Sequence, residues 1–187
     1  MRDGATESVA AVAKLLRQRN EMDGEITRII NRPVVGGHLA AWLANELFDI
    51  DLEPAGSAKA LDGRFTSGAL ATKTVNIQWI GERNGHLDSI ASGQPDFCLV
   101  FTGPKALALT REGVVRAMRI DACYLFDARL LRARQLARGA NGANGANDAT
   151  ASSVLAAEWE AAEIFPRHNN ALLRVDSEAA MLLGLFG

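Results

Sequence analysis

Three apolar runs, separated by polar and glycine-containing segments, constrain the fold of this chain more than any other feature. They are TVNIQWI (74–80), DFCLVFTGP (96–104) and RIDACYLFD (119–127), and each has the length and composition of a strand. Helical periodicity precedes the first run and follows the last. Helices around buried strands predict an α/β domain, with a central mixed sheet of four to five strands flanked by helices.

The helical patterns before the strands differ in strength. The strongest is HLAAWLANELF (38–48), in which leucines recur every four residues. A pattern over residues 5–20 predicts an amphipathic surface helix, and Asp23 is suited to cap a second short helix, GEITRIIN (24–31). We therefore expect residues 1–35 to form an N-terminal helical segment, followed by a single α/β core domain over residues 36–187.

The sequence after the third run predicts two helices joined by a loop. The first helix is ARLLRARQLARG (128–139), and the repetitive sequence GANGANGANDAT predicts a flexible loop at residues 139–150. A second helix is expected in SSVLAAEWEAAEIF (152–165), with Ser152 or Ser153 as the cap. The apolar tail from Met181 to Phe186 is expected to dock on the body of the domain.

Composition limits the classes of partner. The chain has 187 residues, of which 48% are hydrophobic, and this is enough to bury the core of one domain. Its net charge of −2 favours neither nucleic acid nor an anionic membrane globally, so any phosphate binding must be local. Without a leader-like segment or an apolar run of ~20 residues, we expect a cytoplasmic protein with no membrane partner. Cys98 and Cys123 lie in apolar runs and are expected to be core residues.

The run at 74–80 alternates polar and apolar residues. Side chains two positions apart share a face of a strand, so Asn76 and Gln78 should lie on one side, with Val75 and Ile77 on the other. A strand buried on both faces does not present two amides unless they find hydrogen-bond partners. The polar side therefore faces either water or a site.

Residues 36 to 130 resemble the PD-(D/E)xK nuclease superfamily, which has a restriction-endonuclease-like fold. The resemblance rests on the order of a helix with an acidic residue, Asp62 after a loop, an x-I-x pattern on the next strand, and then a further helix and strands. The stretch from ALDGRF (60–65) to AAEIFP (161–166) is also similar to a group of uncharacterised bacterial proteins.

The resemblance assigns roles to residues of the middle segment. In that superfamily a helix acid, an aspartate, and an acid and a lysine two positions apart hold Mg²⁺ and activate water. It implies catalytic positions at Asp62, Asn76 and Gln78, and metal ligation by Asp62 and by Glu46, with His38 also near the position of the helix acid. The implied cofactor is Mg²⁺ and the implied partner is DNA.

The two amides depart from this pattern. Mg²⁺ prefers anionic oxygens, whereas Asn76 offers a neutral carbonyl, and Gln78 cannot supply the positive charge of a lysine. The resemblance therefore implies a degraded metal site, in a domain that binds DNA or retains a weak, vestigial nuclease activity. Simpler interpretations stay open, since Asp62 before a glycine is common in turns and Glu46 is typical of a solvated helix face.

Arginines on the helix after the third run are the candidate DNA-binding residues. They are Arg129, Arg132, Arg134 and Arg138. Lys and Arg contacts to phosphate dominate non-specific DNA affinity, although a solvated helix face has the same composition. The alternative function is a non-enzymatic protein interaction module, as a homo-oligomer or with an operon partner. Convergence of Asp62, Asn76, Gln78 and Glu46 in one cleft would favour the nuclease-like interpretation.

Overall fold

A computed structural model describes residues 3–54, 61–80, 87, 95–103, 119–141 and 154–187. Within these residues the helices are α1 (Asp3–Ile30), α2 (Gly36–Phe48), α3 (Ala128–Asn141), α4 (Ala156–Ala162) and α5 (Ser177–Gly184). The strands are β1 (Ile50–Leu52), β2 (Gly63–Phe65), β3 (Thr74–Ile80), β4 (Phe97–Thr102), β5 (Ala122–Asp127) and β6 (Glu163–Phe165). The three apolar runs of the sequence are β3, β4 and β5, as predicted.

The strands form one mixed sheet whose spatial order follows the chain from β1 to β6. Strands β3 and β4 are parallel, with Val75 opposite Phe97 and Ile80 opposite Thr102, and all other neighbours are antiparallel. The alternation of acids and aliphatic residues in DIDLEP (49–54) also predicts a strand, which is β1. The prediction of four to five strands in total was wrong, because β2 and β6 bring the number in the described residues to six. Each has only three residues, which is too short for a period of two to show in the sequence.

Helices cover both faces of the sheet and divide the core into two parts. The first core joins Val75 and Ile77 of β3 to buried residues of α2 and α5. The second core includes residues of α3 and α4, and in it the rings of Tyr124 and Phe126 meet Trp159 edge to face, with centroids 4.7 and 5.1 Å apart. This arrangement confirms the predicted α/β class.

The N-terminal segment is one helix rather than two. Asp23, expected to cap a second helix, lies inside α1 and forms an ion pair with Arg19, one turn earlier, at 3.6 Å. Gly24 follows it without interrupting the helix, because a glycine in a helix interior costs only about 1 kcal/mol relative to alanine. Ile30, at the end of α1, is buried in the first core.

The predicted helix over 152–165 was also wrong in its extent. The described helix α4 ends at Ala162, and Glu163–Phe165 form β6 beside β5. Glu163 is buried and accepts two hydrogen bonds from the Arg167 guanidinium, at 2.9 and 2.7 Å. These bonds and the charge of Glu163 raise the pKa of Arg167, so its guanidinium stays charged. Strand pairing and the hydrogen bonds to the buried Glu163 override the helical pattern.

Two further predictions concern the C-terminal half. Helix α3 extends to Asn141 and so includes the first three residues of the predicted loop, while residues 142–150, Ser152 and Ser153 lie outside the described residues. The apolar tail docks as predicted, since Leu183 is fully buried and Ile120 N donates a hydrogen bond to Phe186 O at 3.0 Å.

Candidate functional site

Asp62 is held beside β3 by its own backbone. It lies immediately before β2, its N–H donates to Val75 O at 3.0 Å, and its carbonyl accepts from Glu53 N at 2.9 Å. The residue is therefore fixed between the end of β1 and the middle of β3. Its side chain is positioned by strand pairing rather than by a free loop.

The Asp62 carboxylate completes the hydrogen bonding of β3. The described pairing of β2 with β3 reaches Val75 opposite Gly63, and Asp62 Oδ2 accepts a hydrogen bond from the backbone N–H of Ile77 at 2.7 Å. The same oxygen accepts from Asn76 Nδ2 at 2.7 Å. Charge-assisted hydrogen bonds of this kind are short and strong, so Asp62 has a structural role whatever else it does.

Asn76 and Gln78 continue the hydrogen-bond chain. Gln78 Nε2 donates to Asn76 Oδ1 at 2.8 Å, and Asn76 Nδ2 in turn donates to the Asp62 carboxylate, so the hydrogen bonds run from Gln78 through Asn76 to Asp62. Cys98 Sγ, on the neighbouring strand β4, also lies 3.8 Å from Asn76 Oδ1 as a donor. We call the three residues Asp62, Asn76 and Gln78 the Asp62 network. The sequence predicted that these three side chains would share a site, and the structure brings them together.

Two oxygens of the Asp62 network have no hydrogen-bond partner among the described residues. They are Gln78 Oε1, which is buried, and Asp62 Oδ1. An unpaired buried acceptor such as Gln78 Oε1 is uncommon in a folded protein. Of these two unpaired acceptors, Asp62 Oδ1 belongs to a charged group and Gln78 Oε1 to a neutral one.

The predicted metal ligand Glu46 does not join this network. It is exposed on α2 and, within the described residues, forms no hydrogen bond or ion pair with Asp62, Asn76 or Gln78. The alternative His38 has its Nδ1 3.0 Å from the carbonyl oxygen of Pro33, so it is tied to the turn before α2. Glu46 therefore fits the simpler interpretation, a solvated charge on a helix face.

The residues present do not fit a nuclease-type Mg²⁺ site. Such a site uses two or more carboxylates, and Asn76 turns its Nδ2 group, not an oxygen, toward Asp62. No group of three or more His, Cys, Asp or Glu side chains with metal-site geometry occurs in the described part of the chain. Two surface cavities of about 240 and 390 Å³ are lined by other residues.

A second aspartate beside β3 was not singled out by the sequence. Asp96 Oδ2 accepts from Thr74 N and from Thr74 Oγ1, both at 3.0 Å, and Asp96 N donates back to Thr74 Oγ1 at 2.9 Å. Its Oδ1 lies 3.2 Å from Arg129 Nη2 and 4.0 Å from Lys73 Nζ. The hydrogen bonds from Thr74, with the two nearby cations, lower the pKa of Asp96.

The helix that carries the arginines packs on the same face of the sheet as the Asp62 network. Leu131 of α3 lies in the second core with Cys98, whose thiol contacts Asn76. At the start of the helix, Asp127 Oδ1 accepts from Leu130 N at 2.8 Å and caps the first turn. Arg129 links the helix to Asp96, so α3 is tied to the beginning of β3.

The candidate DNA-binding arginines differ in their partners. Arg129 is bonded to Asp96, and Arg134 lies 3.8 Å from Glu158 on α4. Arg132 is exposed and has no ion pair among the described residues. The side chain of Arg138 lies outside the described part of the structure. Arg132 is therefore the described arginine of α3 with the most uncompensated charge.

The cysteines are core residues, as predicted. Both are fully buried, and burial raises the pKa of the Cys123 thiol strongly. A buried thiol of this kind is a poor nucleophile. Cysteine chemistry therefore does not explain the site.

Comparisons with known proteins give no family assignment. Neither a protein-family model nor a curated protein sequence matches the chain. Of the helices in the described residues, none combines the length and apolar character needed to cross a membrane.

Proposed function

We propose that this chain is a restriction-endonuclease-like domain with a degraded metal site, which binds DNA and does not hydrolyse it efficiently. The observation that carries the proposal is the Asp62 network. The aspartate and the two strand residues meet where the resemblance implies an aspartate, an acid and a lysine, but the last two positions hold neutral amides.

The amides explain why hydrolysis is not expected. Phosphodiester cleavage needs charge to hold a metal ion and to offset the negative charge that develops on the phosphate. Asn76 and Gln78 supply neither: Asn76 donates to Asp62 instead, and Gln78 donates to Asn76. The network therefore keeps the polar geometry of β3 without the charges of a catalytic site.

The position of α3 supports DNA as the ligand. Its exposed arginines lie on the face of the sheet that also carries the Asp62 network, and arginine contacts to phosphate supply most non-specific affinity. The net charge of the chain is −2, so this attraction must come from the local surface of the helix. We expect weak binding with strong salt dependence.

Fluorescence anisotropy with duplex DNA at low salt tests the proposal. Replacing Arg132 and Arg134 by Gln should weaken binding and reduce the salt slope by about two counterions. A control variant, Arg28→Gln with Arg174→Gln, removes the same charge elsewhere and should bind like the parent. Absence of binding by the parent at low salt would refute the DNA part of the proposal.

A cleavage assay with Mg²⁺ or Mn²⁺ tests the degraded site. We expect bound DNA to stay intact over hours in either metal. Cleavage by the parent that is lost in Asp62→Ala, but kept in the arginine control variant, would show instead that the site is active.

A second candidate function is a non-enzymatic protein interaction module. One observation favours it: helix α1 leaves several apolar side chains in contact with solvent. This surface does not depend on the Asp62 network, so both functions can belong to one protein.

A further inference from the structure

Helix α1 exposes an apolar surface along most of its length. Seven apolar side chains are between 37% and 71% exposed: Val9, Val12, Leu15, Leu16, Met22, Ile26 and Ile29. Each of them exposes on the order of 100 Å², so together they present roughly 700 Å² of apolar surface per chain. Soluble monomers rarely leave a contiguous apolar patch of this size uncovered.

The spacing of these residues is that of a coiled-coil seam. Val12, Leu15, Arg19, Met22, Ile26 and Ile29 follow one another at intervals of three, four, three, four and three residues. Five of these six positions are apolar, and Val9 and Leu16 flank them. We call the six positions the α1 seam. A heptad spacing of this kind packs against another helix by inserting each side chain between four others.

The charge within the α1 seam indicates the direction of the partner helix. Arg19 is the charged position of the six, and Asp23, its ion-pair partner, flanks the seam one turn later. A parallel copy in register places the two Arg19 side chains opposite each other, where like charges repel. An antiparallel copy centred on the middle of the seam instead places Arg19 opposite Met22 of the second copy and near its Asp23.

We propose that the chain forms an antiparallel homodimer through the α1 seam. A two-fold axis near residues 20 and 21 would place Val12 opposite Ile29 of the second copy and Leu15 opposite Ile26. The apolar surface of each copy is close to the ~800 Å² per partner of a standard interface. This inference names the partner for the second candidate function and does not depend on DNA binding.

Sedimentation analysis of the full chain tests the dimer. The parent should sediment with twice its mass of 20.0 kDa at concentrations of tens of micromolar and dissociate on dilution. Leu15→Glu buries a charge in the seam of both copies and should raise the dissociation constant by at least about 100-fold. The matched control Asn20→Glu adds the same charge away from the seam and should change it by less than about threefold.

Salt dependence tests the direction of the helices. Raising NaCl screens the charges, so an antiparallel dimer should weaken, whereas a parallel dimer would tighten. Tightening with salt would overturn the antiparallel arrangement. A parent protein that stays monomeric at all concentrations would overturn the dimer, as would a monomer that binds anionic vesicles or another protein through α1. Circular dichroism of Leu15→Glu checks that the domain remains folded.

Discussion

Two aspartates, one on each side of β3, both accept hydrogen bonds from the backbone of that strand, but their charged neighbours differ. Asp62, on the β2 side, accepts the backbone N–H of Ile77, and Asp96, on the β4 side, accepts the backbone N–H of Thr74. Each also accepts a hydrogen bond from a polar side chain of β3. Both carboxylates therefore satisfy backbone donors of the same strand.

The surroundings of the two carboxylates differ in charge. Asp96 has Arg129 and Lys73 within ion-pair distance, and its pKa is lowered. Asp62 has only neutral donors and no ion pair among the described residues. Asp96 is therefore neutralised by neighbouring cations, whereas the described residues place no cation beside Asp62. Asp62 is therefore the better candidate for function.

The largest decrease in the free energy of unfolding is expected when a second negative charge is added beside Asp62. In Asn76→Glu a donor 2.7 Å from Asp62 Oδ2 becomes a carboxylate. Two carboxylates at this distance in a half-buried site repel each other by about 3 to 5 kcal/mol at neutral pH. Urea unfolding should show this loss, and the loss should shrink at acidic pH as one carboxyl group binds a proton.

A second substitution separates repulsion from poor packing. Adding Gln78→Lys to Asn76→Glu places a cation beside the new carboxylate and should restore part of the lost stability. Mg²⁺ should stabilise this double variant and leave the parent unchanged in a thermal melt. Equal destabilisation of both variants, without any response to Mg²⁺, would mean that Asn76 is required for its shape.

The second largest loss of stability is expected when the Asp62 carboxylate is removed. Asp62→Ala removes the hydrogen-bond partner of Ile77 N and of Asn76 Nδ2. Leaving these donors partly buried and unpaired should reduce the free energy of unfolding by about 2 to 3 kcal/mol. Asp62→Asn keeps one acceptor oxygen and should lose less. If Asp62→Ala unfolds at the parent urea concentration, the network has no structural role.

Removing the charge of Asp96 should have a smaller effect that depends on pH. The folded-state pKa of Asp96 is lowered, so its stabilisation is present above the unfolded-state pKa of about 3.9 and is lost as pH falls through the folded-state pKa. Asp96→Asn should therefore be less stable than the parent by about 1 kcal/mol at pH 7. Unfolding curves of the two proteins should converge once the pH lies below the folded-state pKa of Asp96, and a difference that persists there would contradict this account.

The smallest effect is expected from the cation beside Asp96. The Arg129 side chain is 82% exposed, so its ion pair with Asp96 is strongly screened by water. Arg129→Gln should change the free energy of unfolding by only a few tenths of a kcal/mol. A loss as large as that of Asp96→Asn would mean that Arg129, and not Thr74, holds the aspartate. Lys73→Gln provides the matched control for the second cation.

The sequence predicted the parts of the fold that have a period. Alternation marks β3 and helical spacing marks α2, while β4 and β5 are long enough to appear as continuous apolar runs. Strands β2 and β6 were missed because three residues carry no period, and their stability comes from pairing with distant strands. The single helix α1 was divided at Gly24, since a local signal for a helix start does not report the cost of continuing through it.

The candidate site was predicted in part, for similar reasons. Asn76 and Gln78 share a face because a strand alternates, and the resemblance added Asp62 to them. Glu46 was included on the resemblance alone, and its exposed position on α2 separates it from the network. Asp96 was missed because an acid before a strand is common, and only the fold shows that it bonds Thr74, which lies 22 residues away in the chain.

The shortness of the outermost strands has a consequence for how this protein behaves at high concentration. Strands β1 and β6 form the two edges of the sheet, and each offers only three residues of backbone to another molecule. A short edge that carries charge is a poor template for strand addition, which is the first step of amyloid-like aggregation. Asp51 is exposed on one edge, and the buried Glu163 lies on the other. The homodimer proposed for α1 accordingly uses a helix and not a sheet edge.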